Sequence, residues 1–450
     1  MASTIFSSSS PISLGLVPTS KSPNSARMMS IPTVSCLKIR SPHGLKIPLP
    51  CPMLPPTLEV CNDMVNNLFN FPQNKVGLKI PSPCLMLPPT FEGGGDMVCN
   101  MYNLAQNKVV KFNNKKLIPD EGTRIVGSSH GWLALFNERN GDLNLINPVT
   151  RSHVKLPPSR SHLKLQPSRS FKVIISCDAE QEDCRAMMIY DYGRLAFCCP
   201  GSSTTEWTPL GAELERNKYP RSYEDIVYSR RHNLFFCVTM TTAGDDFEAW
   251  DLASDPPRLR WENRHDLMDY YQDWFSQSVR LLLDKTDIFC EYYKYLVFAE
   301  QTDQLFYVTR HIVLQMAPDG SAVENLYDKS YPYKTVFFDV HKVDWELGGD
   351  GGRISLLDGG SLDGLAMFVG RNHSFAVLAT EANGLKPNSI YFTDEKMVTP
   401  SPKRDVTYGG HDIGIFDYEN KTISSCYYPC DLHNFKRITP EPIWFTPTVH

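Results

Sequence analysis

No apolar run in this 450-residue chain approaches the roughly 18–20 residues that cross a bilayer as a helix. A dominant charge of one sign is missing too. The net charge is −5, which leaves no basic footprint for nucleic acid. The thirteen cysteines are odd in number and follow no disulfide-framework spacing. Mostly reduced thiols in an intracellular protein are therefore expected. Acidic residues are absent until Glu59, and a secretory leader's apolar core of about 7–15 residues is absent as well. The best run near the start is Leu14-Gly15-Leu16-Val17.

What the N-terminus does hold is serine and scattered base. Residues 1–30 contain ten serines, and Lys21, Arg27, Lys38, Arg40 and Lys46 all precede the first acid. A Ser-rich, basic, acid-poor start has the composition of an organelle transit peptide. Val34-Ser35-Cys36 resembles the site at which plastid transit peptides are cut. The chloroplast is the expected destination, with the mitochondrion as the alternative.

Two local duplications follow. Residues 44–76 and 77–109 align without gaps and agree at 22 of 33 positions. A period near 33 can mark a helical solenoid. Six prolines in the first copy and four in the second exclude paired helices. A shorter pair, SHVKLPPSR (152–160) and SHLKLQPSR (161–169), repeats the same event. Insertions of this kind are tolerated in surface loops and arms.

The remainder reads as short strands. WLALFN (132–137), DLNLIN (142–147), FKVIIS (171–176), RAMMIY (185–190), LFFCVTM (234–240) and YLVFAE (295–300) are apolar runs bounded by turn residues. So are DQLFYV (303–308), KTVFFDV (334–340), LAMFVG (365–370), SFAVLA (374–379) and ISSCYY (423–428). Their β-branched and aromatic content favours a sheet. A phrase recurs among them: an apolar strand ends at Asn147, Asp251, Asp339 or Asp417, polar residues follow, and a second strand begins. Asn or Asp suits that turn because its side chain bonds the backbone two residues on. GRLAFCCPGSSTTEWTPL (193–210) is similar. Repeated hairpins of this kind suit radial blades.

The expected fold is all-β, a β-propeller over 100–450 with kelch-like or F-box-associated-like blades. Ahead of it come a transit peptide over 1–36 and a disordered, proline-rich arm over 37–99. One helix is expected over 265–285, where Leu267, Tyr271, Trp274, Leu281 and Leu282 fall at helical spacing with Ser278 as the one polar interruption. The C-terminal Ile443-Trp444-Phe445 is expected to close the ring by joining the blade of 125–156, since an unpaired sheet edge is a liability.

RIVGSSHGWLALFNERNGDLNLINPVTRSHVKLPP, SLDGLAMFVGRNHSFAVLA and GLKPNSIYFTDE together resemble the plant KIB-type β-propeller family, a domain of unknown function. The resemblance runs from about Leu85 to Thr446. It implies one of two kinds of member: F-box proteins that act as ubiquitin-ligase substrate adaptors, or organellar proteins without the F-box. The LPPT segments at 54–57 and 87–90 lie among prolines that prevent an F-box helical bundle. The resemblance therefore implies the organellar branch first, with a cytosolic or nuclear substrate adaptor, related to ubiquitin-ligase F-box propellers but lacking its F-box, as the alternative.

Candidate chemistry is thin. Gly127-Ser128-Ser129-His130-Gly131 matches the G-x-S-x-G of a nucleophile elbow, but an elbow leads from strand to helix, and here WLALF follows. SLDGLAMF (361–368) repeats the Ser-x-x-Gly-apolar pattern without a histidine, so a turn accounts for both. Cys426, Cys430 and His433 lack the second spaced pair of a zinc site. Adjacent Cys198 and Cys199 face opposite ways on a strand. GGDGGR (348–353) lacks the Lys-Ser or Lys-Thr of a phosphate loop. Asn372 and Asn420 match glycosylation acceptors by chance. Tyr270, Tyr271, Trp274 and Phe275 could pack the helix on the propeller rim or face a partner. No catalytic, cofactor-binding or metal residue is assigned. The expectation is a monomer that binds a protein of unknown identity, without nucleic acid and without membrane insertion.

Overall fold

Alternation builds the outer strands and continuous apolarity the inner ones. In Leu143–Ile146 buried and half-buried residues alternate, as on a sheet with one covered face. In Lys172–Ile175, Ala186–Tyr190 and Leu365–Val369 every residue is buried, because both faces meet neighbouring sheets. The computed structural model describes residues 58–59, 82–92, 96–113, 123–157, 171–201, 206–211, 221–241, 244–264, 290–317, 333–345, 354–357, 360–380, 383–395, 412–426 and 441–447. Among the described residues every regular element of two or more residues is a strand. The helix expected over 265–285, the transit segment 1–36 and most of the arm lie outside them.

The strands form five sheets, one of which combines two blades. Blade 1 orders 58–59, Lys108–Asn113, Asp96–Asn103, Cys84–Glu92 and Ile443–Phe445. Blades 2, 3 and 4 are four-stranded antiparallel meanders over 123–155, 172–210 and 222–264. Blade 5 covers 290–356 and blade 6 covers 365–425. A single parallel pairing, Phe298 beside Phe375, fuses the last two.

Six apolar clusters lie between successive blades and return to the start. Ile125, Leu133 and Leu135 of blade 2 pack with Met86 and Phe445 of blade 1. Trp132 and Phe136 meet Val173 and Met188. Ile189 meets Tyr223 and Phe235. Phe236 meets Phe298, and Val308 meets Met367. Phe368 meets Leu85 and Trp444. The ring is thus a closed six-bladed propeller.

Closure differs from the sequence expectation. The C-terminal strand does not hydrogen-bond to the blade of 125–156. It pairs antiparallel with Cys84-Leu85-Met86, a strand that bears Pro88 and Pro89. The register slips between Leu87 and Thr90, so both prolines sit in a bulge where no ladder donor is needed. The closing blade straddles position 100, with strands on both sides of it. Trp444 is fully buried, edge-on to Phe368.

Turn chemistry holds at three of four sites. Asn147 Oδ1 accepts from the N–H groups of Val149 and Thr150, both at 3.0 Å. Asp251 and Asp417 do the same for 253–254 and 419–420. Asp339 is the exception. It lies inside the strand Lys334–Val343, and its carboxylate meets His311 Nε2 at 2.6 Å. A buried histidine across the sheet, rather than a turn, accounts for that acid.

Candidate functional site at one mouth of the propeller axis

Gly127 shows how tightly the inner strands approach. A Cβ there would lie 1.8 Å from the Val173 carbonyl oxygen of the next blade, so only glycine fits. Ser128 and Ser129 complete the strand. His130 and Gly131 turn it at φ 50° and 80°, and Trp132 begins the next strand. Positive φ at both central residues is the signature of a two-residue hairpin. The Ser129 hydroxyl accepts from Ile175 N–H at 3.0 Å and ties blade 2 to blade 3. Asp363 and Gly364 repeat the turn at 53° and 76°. GSSHG is therefore a hairpin, with no helix behind it.

The axis itself is filled by the chain. Residues 370–374 of blade 6 cross it and hold three other blades. The His373 N–H donates to the Ser128 carbonyl at 2.7 Å. Tyr228 N–H donates to His373 Nε2 at 2.9 Å, and Lys172 Nζ reaches the Gly370 carbonyl at 3.4 Å. Asn372 is buried within this strap, its Nδ2 donating to the carbonyls of Phe368 and His373, so it is no glycan acceptor. Burial, then the Lys172 charge, lowers His373 to about 3. His130 is lowered too, by burial and then by Arg230 and His373. Both histidines are neutral at physiological pH.

On one side of the strap lies a mouth of buried charge. Lys172 and Asp225 pair at 2.5 Å, and the second Asp225 oxygen accepts from Leu296 N–H at 2.9 Å. Three blades meet at that carboxylate. Burial pushes Asp225 up to about 6 against the pull of Lys172. Lys294 pairs with Asp245 at 2.5 Å, and the Tyr307 hydroxyl donates to the same carboxylate at 2.6 Å. A cavity of about 20 Å³ opens among Lys172, Glu224, Asp225, Lys294, Arg371 and Glu395. Beside it, Arg310 donates to Thr335, to the Thr393 carbonyl and to Asp412. Burial works against its charge, and Tyr295, Asp412 and Glu395 more than offset that.

The residues weighed from sequence are not gathered here. Cys426, just past the strand Thr422–Ser425, is buried in the apolar cluster with Leu85 and Trp444, while Cys430 and His433 lie outside the described residues. Cys198 ends the strand Arg194–Cys198 and is buried, and Cys199 just after it is half-buried. Asn420 caps its own turn through Asp417. GGDGGR and Tyr270, Tyr271, Trp274 and Phe275 also lie outside the described residues. Among the described residues no three His, Cys, Asp or Glu form a metal-holding group, and no helix is long and apolar enough to cross a membrane. The mouth residues gave no sequence signal because they come from four blades and lie as far apart as Lys172 and Glu395.

A family model for the KIB1-4 beta-propeller matches residues 101–417. The chain belongs to that family. No curated protein matches it. Among solved structures, KIB1-4-type blades meet distant likenesses. YCF48 bound to D1 peptide is 10% identical, covering 62% of this chain and 83% of that one at a TM-score of 0.26. A nidogen/laminin complex is 10% identical over 58% and 86%, at 0.28. The Cps50 (Swd1) propeller domain of Myceliophteria thermophila is 9% identical over 60% and 86%, at 0.27. At these scores the likenesses carry no argument. The fold of this KIB1-4 propeller rests on its own sheets and on the family match.

Proposed function

We propose that this KIB1-4 propeller is a non-enzymatic protein-binding module of a plant organelle, imported on residues 1–36. The observation that carries the binding reading is the filled axis. With the channel occupied by 370–374, the polar mouth and the blade-connecting turns remain as the recognition surfaces. Fold alone is weak warrant for function, so the reading leans on this geometry. Ser129 serves a structural hydrogen bond, and His130 belongs to a hairpin turn.

The plastid is favoured over the mitochondrion. Residues 1–36 carry only Lys21 and Arg27 as charges, too few for a strongly basic amphipathic helix. A fluorescent protein fused after residue 60 should enter plastids, and a fusion to a chain starting at Leu37 should not. Diffuse cytosolic and nuclear signal from the first fusion would replace this reading with that of an F-box-type substrate adaptor lacking its F-box.

A further inference from the structure

Cys177 and Cys184 stand at the two feet of the hairpin that joins the first two strands of blade 3. The ladder pairs Ile175 with Ala186. Beyond it the Ser176 N–H donates to the Arg185 carbonyl at 2.9 Å. The Ile175 N–H turns away to Ser129 Oγ, so bonded and non-bonded pairs alternate as an antiparallel ladder requires. One step further, the same register sets Cys177 opposite Cys184 at a non-bonded position. There Cα atoms approach to about 4.5 Å, inside the span of about 4.4–6.8 Å that a disulfide bridges. The Cys184 thiol already donates to the Cys177 carbonyl at 3.8 Å. The strand runs from Lys172 at the mouth, so this hairpin projects at the opposite end.

The two sulfurs differ in a way that divides their roles. Cys177 is half-buried and Cys184 fully buried. A hydrogen bond from Cys184 has the largest influence on Cys177 and holds it down to about 7, with help from Ser176 and against burial, Asp183 and Asp178. The same bond, then burial, pushes Cys184 up. Burial pushes Cys84 and Cys99 up to about 12. Cys177 therefore combines thiolate character with access, which is what oxidation selects.

The tip between them is acidic. Asp178, Glu180, Glu182 and Asp183 lie in 178–183 without a base, and all but Asp178 are exposed. Like charge repels an anionic oxidant such as glutathione disulfide. A small neutral oxidant meets no such barrier.

We propose that Cys177 and Cys184 are a peroxide-sensitive thiol pair that closes reversibly to a disulfide across the hairpin. The Cys177 thiolate attacks one oxygen of hydrogen peroxide. The O–O bond breaks, the departing hydroxide takes a proton and leaves as water, and Cys177 becomes a sulfenic acid. The Cys184 sulfur then attacks the Cys177 sulfur. The S–O bond breaks, and the hydroxyl leaves with the Cys184 proton as a second water. The two thiols are oxidised and the peroxide is reduced.

Peptide mapping of the native full-length chain tests this. The reduced protein is treated with hydrogen peroxide, then unfolded, alkylated and cut with trypsin. Cleavage after Lys172 and Arg185 places both cysteines in one peptide, 173–185. Without peroxide both should be alkylated. With it neither should be, the peptide should lack the two thiol hydrogens, and dithiothreitol should restore both sites. At low salt, glutathione disulfide at equal concentration should react at least about ten-fold more slowly, and added salt should narrow the gap. Cys184→Ser should leave a sulfenic acid at Cys177 that dimedone captures, and Cys177→Ser should leave Cys184 alkylated throughout. The parent peptide decides the outcome even if the buried Cys184→Ser variant does not fold. Both cysteines still alkylated after peroxide, or Cys177 carried on to the sulfinic acid with Cys184 free, overturns the pair. A glutathione disulfide rate equal to that of peroxide at low salt overturns the neutral oxidant.

Discussion

Two buried histidines make this propeller sensitive to acid. His373 is held at about 3 in the folded chain against an ordinary 6.5. Between those values the unfolded chain binds a proton that the folded chain does not. Stability from this group is full above pH 6.5 and is lost as pH falls toward 3. Asp225 acts in the opposite sense. Its folded value of about 6 against 3.8 makes the folded chain hold the extra proton, so acidification favours folding between the two. The histidine spans the wider interval, and His130 is lowered in the same direction, so the histidines win. The urea unfolding free energy should drop by roughly 2 kcal/mol from pH 7 to pH 4.5. His373→Asn should flatten that slope while lowering stability at pH 7. A slope as steep in the variant as in the parent would assign the acid sensitivity elsewhere. No sequence feature announced this role, because Asn372-His373-Ser374 is polar and reads as a surface acceptor motif. Its partners are 145 and more positions away.

At the scale of single elements, the two copies of the duplicated segment differ in what they contribute. The second supplies Cys84–Glu92 and Asp96–Asn103 at the heart of the closing blade. From the first, the described residues are Leu58–Glu59, which add a two-residue parallel bridge to Val109 and Val110 at the sheet's outer edge. Deleting 44–76 should therefore shift the melting temperature by less than about 2 °C. Insolubility, or a drop several times larger, would mean that the first copy supports the blade. The elements were unevenly legible. All eleven strands read from β-branched and aromatic runs are present in some form, and Asn147, Asp251 and Asp417 do turn the chain. The closing strand Cys84–Glu92 was hidden by Pro88 and Pro89, since proline argues against a ladder and only a bulge in three dimensions admits it. Asp339 misled for the opposite reason: a turn-forming residue type was recruited by His311 on a neighbouring strand. The mouth was illegible as a whole, because its charges meet only when blades 3 to 6 stand in a ring.

For the whole molecule, a ring whose blades touched only their neighbours would behave as a one-dimensional array, able to shed one module at a time. The strap 370–374 changes that connectivity. It is anchored in blade 6 and bonded to blades 2, 3 and 4, so none of these can swing out without releasing it. Local opening of a middle blade thus becomes nearly as costly as opening the ring. In hydrogen–deuterium exchange, the amides of His373 and Tyr228 should be as slow as those of Ile174 and Ile189 in the core of blade 3, all reporting the global unfolding event. Early exchange of His373 alone would mean that the axis breathes independently of the rim. Slow, uniform exchange would make the strap the spoke that turns six separable modules into one cooperative unit, and would place its docking among the last, longest-range steps of folding.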